Sequence, residues 1–406
     1  MGREEPDDKP ANPFMVKDEP GLTAEQAVAI LLDSNGSSSK LTLSYSKMGD
    51  DGAKLVADAL KSNKVITCLE MVDCAVGDVG VSALGAALTS NDTLRELKLR
   101  GNMIGDEGCE GLAAGLSSNT ALTLLDISSN KVRGLGAAAL GRGLASNSTL
   151  KALNVAFNVI GHEGGRHLGE ALRANRGLET LVLEYNALED TGTQALAEGL
   201  AENHGLTELN LDYCRIGLGG AEALADALKR NQSLQVLVMG GNLIGDEGAE
   251  ALAPAIAANL SLTTLRASGN RLAETAAEEI AGALKESRSL TKVDLGYANF
   301  GAAGGAALGE VLKKNTPLVD LTLFQCALGP EGAEALAEGV AANTTLQSLN
   351  IGDNNIEEDG AAALATALAA NTTLARLDLG DRKLSKASKA LLRGAWNGRE
   401  GQEIVL

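Results

Sequence analysis

The chain has 406 residues, of which 45% are hydrophobic and only 2% aromatic, so its core must be built mainly from aliphatic side chains. Its formal net charge of -18 argues against nucleic acid and against a membrane surface as partners, because both are negatively charged. The acidic balance favours either a basic protein partner or no more than solubility. No stretch of about 18 apolar residues predicts a membrane-spanning helix.

The N-terminal region divides into a tail and a cap. Residues 1–20 hold four of the seven prolines among charged residues, and this composition predicts a disordered tail. The spacing of Thr23 and Gln26 is that of a capping box, which predicts the start of a helix. Asn35 falls in the phase of the later repeats, so residues 21–38 are interpreted as the helical half of a repeat. Such a half-repeat is expected to cap the array, since an uncovered end would expose core.

Residues 39–384 repeat one pattern with a 28-residue period and without an insertion. In one repeat, Leu97 and Leu99 alternate with exposed positions and predict a short strand. Asn102 follows in a turn, where its amide can bond the backbone of the adjacent turn; we call this the ladder position. A helix is expected to end near Asn119, in the left-handed conformation that asparagine tolerates. Thirteen strand segments at a fixed period predict a stacked-repeat solenoid.

The pattern changes near the C-terminal end. Pro254 lies inside a predicted helix and Ala298 replaces the ladder asparagine, so a local change of curvature is expected between residues 254 and 305. Residues 385–406 are interpreted as a C-terminal cap in which Trp396 and the last three residues close the core.

Three of the five cysteines, Cys74, Cys214 and Cys326, occupy the ladder position of their repeats. Single thiols at buried sites indicate a reducing compartment, and no cysteine pair has the short spacing of a metal site. The polar N-terminus shows no signal-peptide pattern. We therefore expect a cytoplasmic protein with neither metal nor cofactor.

The motif LxxLxLxxNxIGxxGxxxLxxxLxxNxx resembles the leucine-rich repeats of the ribonuclease-inhibitor type, from residue 23 to about residue 395. It is similar to the repeat arrays of NOD-like receptors and Ran GTPase-activating proteins. The resemblance implies an α/β solenoid shaped as a horseshoe, with a parallel β-sheet on the concave face, helices on the convex face and a role in protein binding. The chain departs from these families, because it lacks a GxxxxGK[ST] motif and a strongly acidic C-terminal tail.

The aromatic residues share one phase of the repeat. All four tyrosines and one phenylalanine immediately precede the ladder position, where the strand leaves the concave face, and Phe324 is one residue off this phase. Exposed aromatic side chains anchor interfaces, and the acids nearby suit a basic or amphipathic segment. Alternatively, the turn merely favours a half-buried ring that stacks on its neighbour. The candidate partner-binding residues are Phe157, Tyr185, Tyr213, Glu184, Asp212, Asn210, Tyr297 and Tyr45, with Glu208 nearby.

A catalytic role finds little support in the sequence. All three histidines fall in the helical halves of repeats, and none pairs with a nucleophile by spacing, so no enzyme activity is expected. The resemblance leaves one alternative, a Ran-type activator of a small GTPase that acts through Arg100 or Arg133. A mixed-charge zone of Glu96, Lys98 and Arg100 is expected to have no role. The main prediction is a scaffold that binds a partner protein through its concave face.

Overall fold

The structure, a computed structural model, describes residues 22–33, 38–314, 317–380, 383–396 and 403–406. The predicted tail of residues 1–20 and Asn35 lie outside the described residues. Throughout the described part, a three-residue strand alternates with a helix of 9 to 14 residues. The predicted α/β solenoid is therefore confirmed.

Within the described residues, fourteen strands form one parallel sheet whose spatial order is the order of the chain. Neighbouring strands pair at equivalent positions of successive repeats, as Leu69 with Leu97 shows. The strands are β1 (Lys40–Thr42), β2 (Cys68–Glu70), β3 (Glu96–Lys98), β4 (Leu124–Asp126), β5 (Ala152–Asn154), β6 (Thr180–Val182), β7 (Glu208–Asn210), β8 (Val236–Val238), β9 (Thr264–Arg266), β10 (Lys292–Asp294), β11 (Asp320–Thr322), β12 (Ser348–Asn350), β13 (Arg376–Asp378) and β14 (Glu403–Val405).

The helices cover the other face of this sheet. The first of them begins with the predicted capping box, in which Thr23 and Gln26 bond each other's backbone. The helices are α1 (Ala24–Leu32), α2 (Gly49–Leu60), α3 (Asp78–Leu88), α4 (Asp106–Ser118), α5 (Gly134–Ser146), α6 (Gly161–Ala174), α7 (Glu189–Glu202), α8 (Leu218–Arg230), α9 (Gly245–Ala258), α10 (Glu274–Glu286), α11 (Gly301–Lys313), α12 (Gly329–Ala342), α13 (Glu357–Ala370) and α14 (Lys386–Trp396).

One apolar core runs between the sheet and the helices, from Ala27 in α1 to Trp396 in α14. Each strand contributes its central residue and the second residue after it, such as Leu97 and Leu99, both fully buried. Side chains alternate across a strand, so the flanking residues point away from the core onto the concave face. Three residues per strand suffice because each repeat buries its apolar surface against its neighbours.

A column of buried asparagine side chains joins successive turns at the ladder position. The Asn102 amide donates to the carbonyls of Met71, 2.7 Å away, and Leu99, 2.8 Å away. Its oxygen accepts the N–H groups of Cys74 and Val76 in the preceding repeat. Because buried backbone groups need partners, each side chain satisfies polar groups in two repeats at once. Where cysteine holds the ladder position, its thiol donates instead, as Cys74 does to the carbonyl of Leu43 in the preceding repeat.

A second asparagine column lies where the helices end, and here the sequence-based interpretation was wrong. Asn119 has φ -74° and ψ 133°, which is extended rather than left-handed. Its amide donates to the carbonyls of Leu88 and Asn91, and its oxygen accepts the N–H groups of Ala121 and Leu122. These positions therefore hold asparagine for its hydrogen bonds between repeats and not for its backbone preference.

An aspartate at the start of one helix sets how the next helix starts. Asp78, four residues after a ladder position, accepts the N–H groups of Gly105 and Gly108 in the following repeat. The residue before that following helix is then extended, with φ -107° at Gly105. Asp50, Asp106 and Asp190 accept the equivalent pair of N–H groups, and Asp246 accepts the first of them, from Ala273.

Where the preceding repeat has another residue at this position, the equivalent of Gly105 is left-handed. Gly134 holds the aspartate position of one repeat, and Gly161 at the next helix start has φ 61°. Glu274 holds it in another repeat, and Gly301 at the next helix start has φ 60°. The rule holds at the starts of helices α3 to α13. The other left-handed residues that obey this rule are Glu189, Gly245, Gly329 and Glu357. The aspartate position of the repeat before each is occupied, in the same order, by His162, Leu218, Ala302 and Pro330.

At the C-terminal end the array has one strand more than the thirteen predicted. Glu403–Val405 forms β14, which pairs with β13 one residue short of the usual repeat spacing, so that Leu377 lies beside Ile404. Helix α14 and the burial of Trp396 agree with the predicted cap, and Ile404 and Leu406 pack against the core. The domain limits themselves stay a prediction.

The region expected to change curvature contains a packing defect. Helix α9 continues through Pro254 as one helix. A small apolar cavity lies beside it, lined in part by Met239, Ile244 and Leu252. The fully buried Oδ1 of Asn270, whose residue also lines this cavity, accepts no hydrogen bond from any described residue. The change of curvature itself stays a prediction.

We expect Asp78→Ala to lower the free energy of unfolding by about 1 kcal/mol, because the start of α4 loses its cap from the neighbouring repeat. Urea unfolding followed by circular dichroism measures this difference. Glu274→Ala is the matched control, since it changes the same position in a repeat whose successor starts left-handed. Equal stability of the two variants would contradict the capping role.

Candidate functional site

The candidate aromatic residues occupy a backbone position with a special conformation. We call the residue immediately before each ladder position the rim position, because it lies where the strand leaves the concave face. All twelve described rim residues are left-handed, with φ between 51° at Gln325 and 71° at Gly101. The ladder side chain fixes the backbone just before this residue. For Tyr185, the Asn186 amide donates to the carbonyls of Leu183 and Glu184.

The left-handed conformation costs residues other than glycine about 1–2 kcal/mol, and bulky residues adopt it rarely. Glycine occupies the rim at Gly101, Gly241 and Gly269, and aspartate at Asp73 and Asp353. The turn therefore forms without an aromatic side chain, which weakens the alternative that its geometry calls for a ring. This mixture of glycine and aspartate at one phase was the sequence signal for a left-handed position, and the sequence analysis missed it.

Phe157, Tyr185 and Tyr213 form a continuous stack, which we call the aromatic row. The ring centroids of Phe157 and Tyr185 are 4.6 Å apart, and those of Tyr185 and Tyr213 are 4.3 Å apart. The interplanar angles are 19° and 13°. The three residues remain 46%, 41% and 44% exposed. The row is thus an ordered apolar surface in contact with solvent.

The row ends at a glycine. A Cβ atom placed on Gly241 would lie 2.3 Å from the Cε1 atom of Tyr213, so the Tyr213 ring occupies the space that a side chain at residue 241 would need. The Tyr213 ring thus leans toward the next repeat, and glycine at 241 makes room for it.

Acidic and amide side chains lie immediately inside the row. Glu184 and Asp212 directly precede Tyr185 and Tyr213 on the concave face and are partly buried. Asp212 accepts the N–H group of Gly240, and its own N–H donates to Asn210 Oδ1 over 2.8 Å. Burial, reinforced by the charge of Glu184, raises the pKa of Asp212 to about 6, although the Gly240 hydrogen bond opposes the rise.

The structure does not bring every candidate residue into this site. Tyr45 is four repeats away from Phe157 and 44% exposed. Tyr297 is three repeats beyond Tyr213 and forms a separate edge-to-face pair with Phe324, with centroids 5.3 Å apart. The compact site therefore consists of the aromatic row with Glu184, Asp212 and Asn210.

The mixed-charge zone is largely neutralised within the concave face. Lys98 pairs with Glu70 and Glu96, each over 3.0 Å. Arg100 lies near Asp126. Burial raises the pKa of Asp126, and the charge of Arg100 opposes part of this rise. Arg133 is exposed just before α5, and its backbone N–H group donates to Asp106. None of these contacts singles out a catalytic arginine.

Further chemistry is sparse in the described part of the chain. No group of three histidine, cysteine, aspartate or glutamate side chains there is arranged to hold a metal ion. All five cysteines are buried and free, and burial raises the pKa of the Cys214 thiol to about 12, so it stays protonated. None of the described helices combines the length and apolar character needed to cross a membrane.

Comparison with known families agrees with this architecture of strand–helix repeats. A sequence model of the leucine-rich repeat family matches ten segments that together cover more than half of the chain. The chain belongs to the leucine-rich repeat family; the ribonuclease-inhibitor subtype remains a resemblance. Such repeats imply a protein-interaction scaffold. The matched segments are 62–85, 90–113, 118–141, 146–169, 174–197, 202–225, 230–253, 286–309, 314–337 and 342–365.

No curated protein matches the chain. Among solved structures, the yeast Rad7 and Elc1 complex is similar at 14% identity and a TM-score of 0.45, over 94% of this chain and 92% of the other. The tropomodulin C-terminal domain of Caenorhabditis elegans is similar at 17% identity and a TM-score of 0.32, over 37% and 92%. The actin-binding site 2 of leiomodin-1 is similar at 19% identity and a TM-score of 0.29, over 33% and 79%.

We expect Tyr213→Gly to be more stable than Tyr213→Ala by about 1 kcal/mol, since both lose the ring but only alanine retains the cost of φ 53°. Urea unfolding of the two variants measures this difference. A more stable alanine variant would contradict the left-handed assignment.

We expect Asp212→Asn to raise the melting temperature at pH 7.5 but not at pH 4. The pKa of Asp212 in the folded protein lies above its ordinary value of 3.8, so its stabilising effect is complete below that value and is lost as the pH rises through about 6. Asparagine stays neutral and can still accept the Gly240 hydrogen bond. Thermal unfolding across this pH range tests the prediction, and a constant difference from wild type would contradict it.

Proposed function

We propose that this protein is a non-enzymatic scaffold that binds a partner protein through its concave face, with the aromatic row as the main contact. The observation that supports this proposal most is the presence of exposed rings at left-handed positions where other repeats carry glycine. Such rings are an unfavourable backbone choice, and their large exposed area is of the kind that anchors interfaces.

The stack also prepares the row for binding. Phe157 and Tyr213 flank Tyr185 at stacking distance, so the rotation of these side chains is restricted before a partner arrives. A binding surface that is already ordered loses less conformational entropy on association. The three rings would therefore act as one rigid contact area.

The charge next to the row favours a basic partner. Glu184 and Asp212 lie directly inside the row, and the whole chain has a net charge of -18. Charge complementarity of this kind accelerates association and selects against acidic partners. The same proposal places the protein and this basic partner in the cytoplasm.

Activation of a Ran-type GTPase is the alternative function. No observed contact favours it. Arg100 lies near Asp126, and the exposed Arg133 lies just before α5. It predicts that wild-type protein accelerates GTP hydrolysis by a Ran-type GTPase and that loss of Arg100 or Arg133 abolishes this effect. Absence of acceleration by wild type would exclude it.

We expect Tyr185→Gly and Tyr213→Gly to weaken partner binding by about 1–3 kcal/mol each without unfolding the protein, because glycine suits the rim conformation. Proteins bound from native lysate by wild type are identified by mass spectrometry, and the affinity of each purified partner is then measured by calorimetry.

Tyr45→Gly is the matched control for this experiment, since it removes a left-handed tyrosine of similar exposure outside the row. It should leave the affinity unchanged. If the variant that combines Tyr185→Gly with Tyr213→Gly binds as wild type does and only its melting temperature falls, the aromatic row is structural and the proposal fails.

A further inference from the structure

The rim of the concave face carries two aromatic groups with a gap between them. The aromatic row ends at Tyr213, and the next aromatic group consists of Tyr297 and Phe324. The two rim positions in between are Gly241 and Gly269, which have no side chain. We call these two positions the rim gap.

We propose that an extended, basic segment of the partner lies along this rim from Phe157 to Tyr297 and passes through the rim gap. This inference rests on the proposed function and adds to it the form of the partner segment and its path along the rim. The segment runs across the carboxyl ends of strands β5 to β10.

The rim gap is open beside Gly269, whereas the Tyr213 ring fills the space beside Gly241. A Cβ atom placed on Gly269 would meet only Gly241, at 3.5 Å from its nitrogen and 3.7 Å from its Cα atom, which are ordinary contact distances. The Tyr213 ring covers Gly241 from one side, and Tyr297, 59% exposed, lies on the other. A side chain of the partner can therefore enter beside Gly269, between the Tyr213 ring and the rim position of Tyr297.

The dimensions suit a short peptide. Adjacent strands are about 4.8 Å apart, so the five steps from Phe157 to Tyr297 span about 24 Å. An extended chain covers about 3.4 Å per residue, so about seven residues reach from Phe157 to Tyr297. The rim is a line one residue wide, which matches a single extended chain.

The charges beside this line are complementary to a basic chain. Between β5 and β10, the row of side chains immediately inside the rim contains only two charged residues, Glu184 and Asp212. Arg266 and Lys292 lie one and two rows further in, on strands β9 and β10. On the outer side, Arg215 lies 3.8 Å from Glu189 and Arg271 is exposed. The charges nearest the rim are therefore acidic.

The deciding variant is Gly269→Tyr. Tyrosine fits this position, because Tyr185, Tyr213 and Tyr297 adopt the same left-handed conformation and the space beside Gly269 is open. The new ring would fill the rim gap while leaving the aromatic row intact. Ser129→Tyr is the matched control, since it adds a tyrosine at a left-handed rim position outside the proposed span.

The probe is a phage-displayed library of random dodecapeptides selected on the wild-type full-length chain. The selected peptides are synthesised, and their affinities for each variant are measured by fluorescence anisotropy. We expect peptides rich in lysine and arginine, a loss of affinity of at least tenfold with Gly269→Tyr, and a change of less than twofold with Ser129→Tyr. The Tyr185→Gly/Tyr213→Gly variant should also lose at least tenfold.

The outcomes separate the two proposals. Wild-type affinity of Gly269→Tyr, together with weak binding by Tyr185→Gly/Tyr213→Gly, overturns the path through the rim gap but keeps the aromatic row as a contact. Wild-type affinity of both variants overturns the proposed function as well. Selection of acidic peptides, or of none, overturns the extended basic segment. If Gly269→Tyr does not fold, Gly269→Asn provides a smaller obstruction that the left-handed conformation tolerates.

Discussion

The buried asparagine amide is the interaction on which the repeats depend. At the ladder position it satisfies carbonyl groups of two successive turns. At the helix ends a second asparagine donates to two carbonyl groups of the preceding helix end and accepts two N–H groups of its own turn. Burying a turn without such partners would leave several polar groups unsatisfied, at about 1–3 kcal/mol for each. The ladder amide also bonds the carbonyl groups just before the rim residue, as Asn186 does before Tyr185. The same bonds that join the repeats therefore frame the left-handed position that carries the aromatic row.

Much of the fold follows from the period of the sequence. A phase that holds from repeat to repeat determines which leucines are buried, which strands pair and in which register, and Leu69 pairs with Leu97 as expected. Strand β14 escaped prediction because it pairs one residue short of the period, so residues 403–405 do not share the phase. The helix-end asparagines were predicted in place but not in conformation, because a residue type alone does not reveal which hydrogen bonds it makes in a neighbouring repeat.

The site could be predicted in part for the same reason. The common phase placed Phe157, Tyr185 and Tyr213 in one row, and they are stacked in the structure. Their ring separations and the ring of Tyr213 over Gly241 needed three dimensions, whereas glycine and aspartate at the same phase signalled the left-handed backbone. Tyr45 and Tyr297 share the phase but lie outside the row, because equal phase fixes only the position within a repeat and several repeats separate these residues from the row.

The aspartate that caps a neighbouring helix has a consequence for how such a chain grows by duplication. A copied repeat that carries Asp78 brings a residue that acts in the following repeat, while its own helix start depends on the repeat before it. The unit of sequence and the unit of conformation are therefore offset by one. An array that gains or loses a repeat keeps its period. The helix starts on both sides of the change are stable only when each aspartate is again followed, one repeat later, by a residue that can adopt the extended conformation.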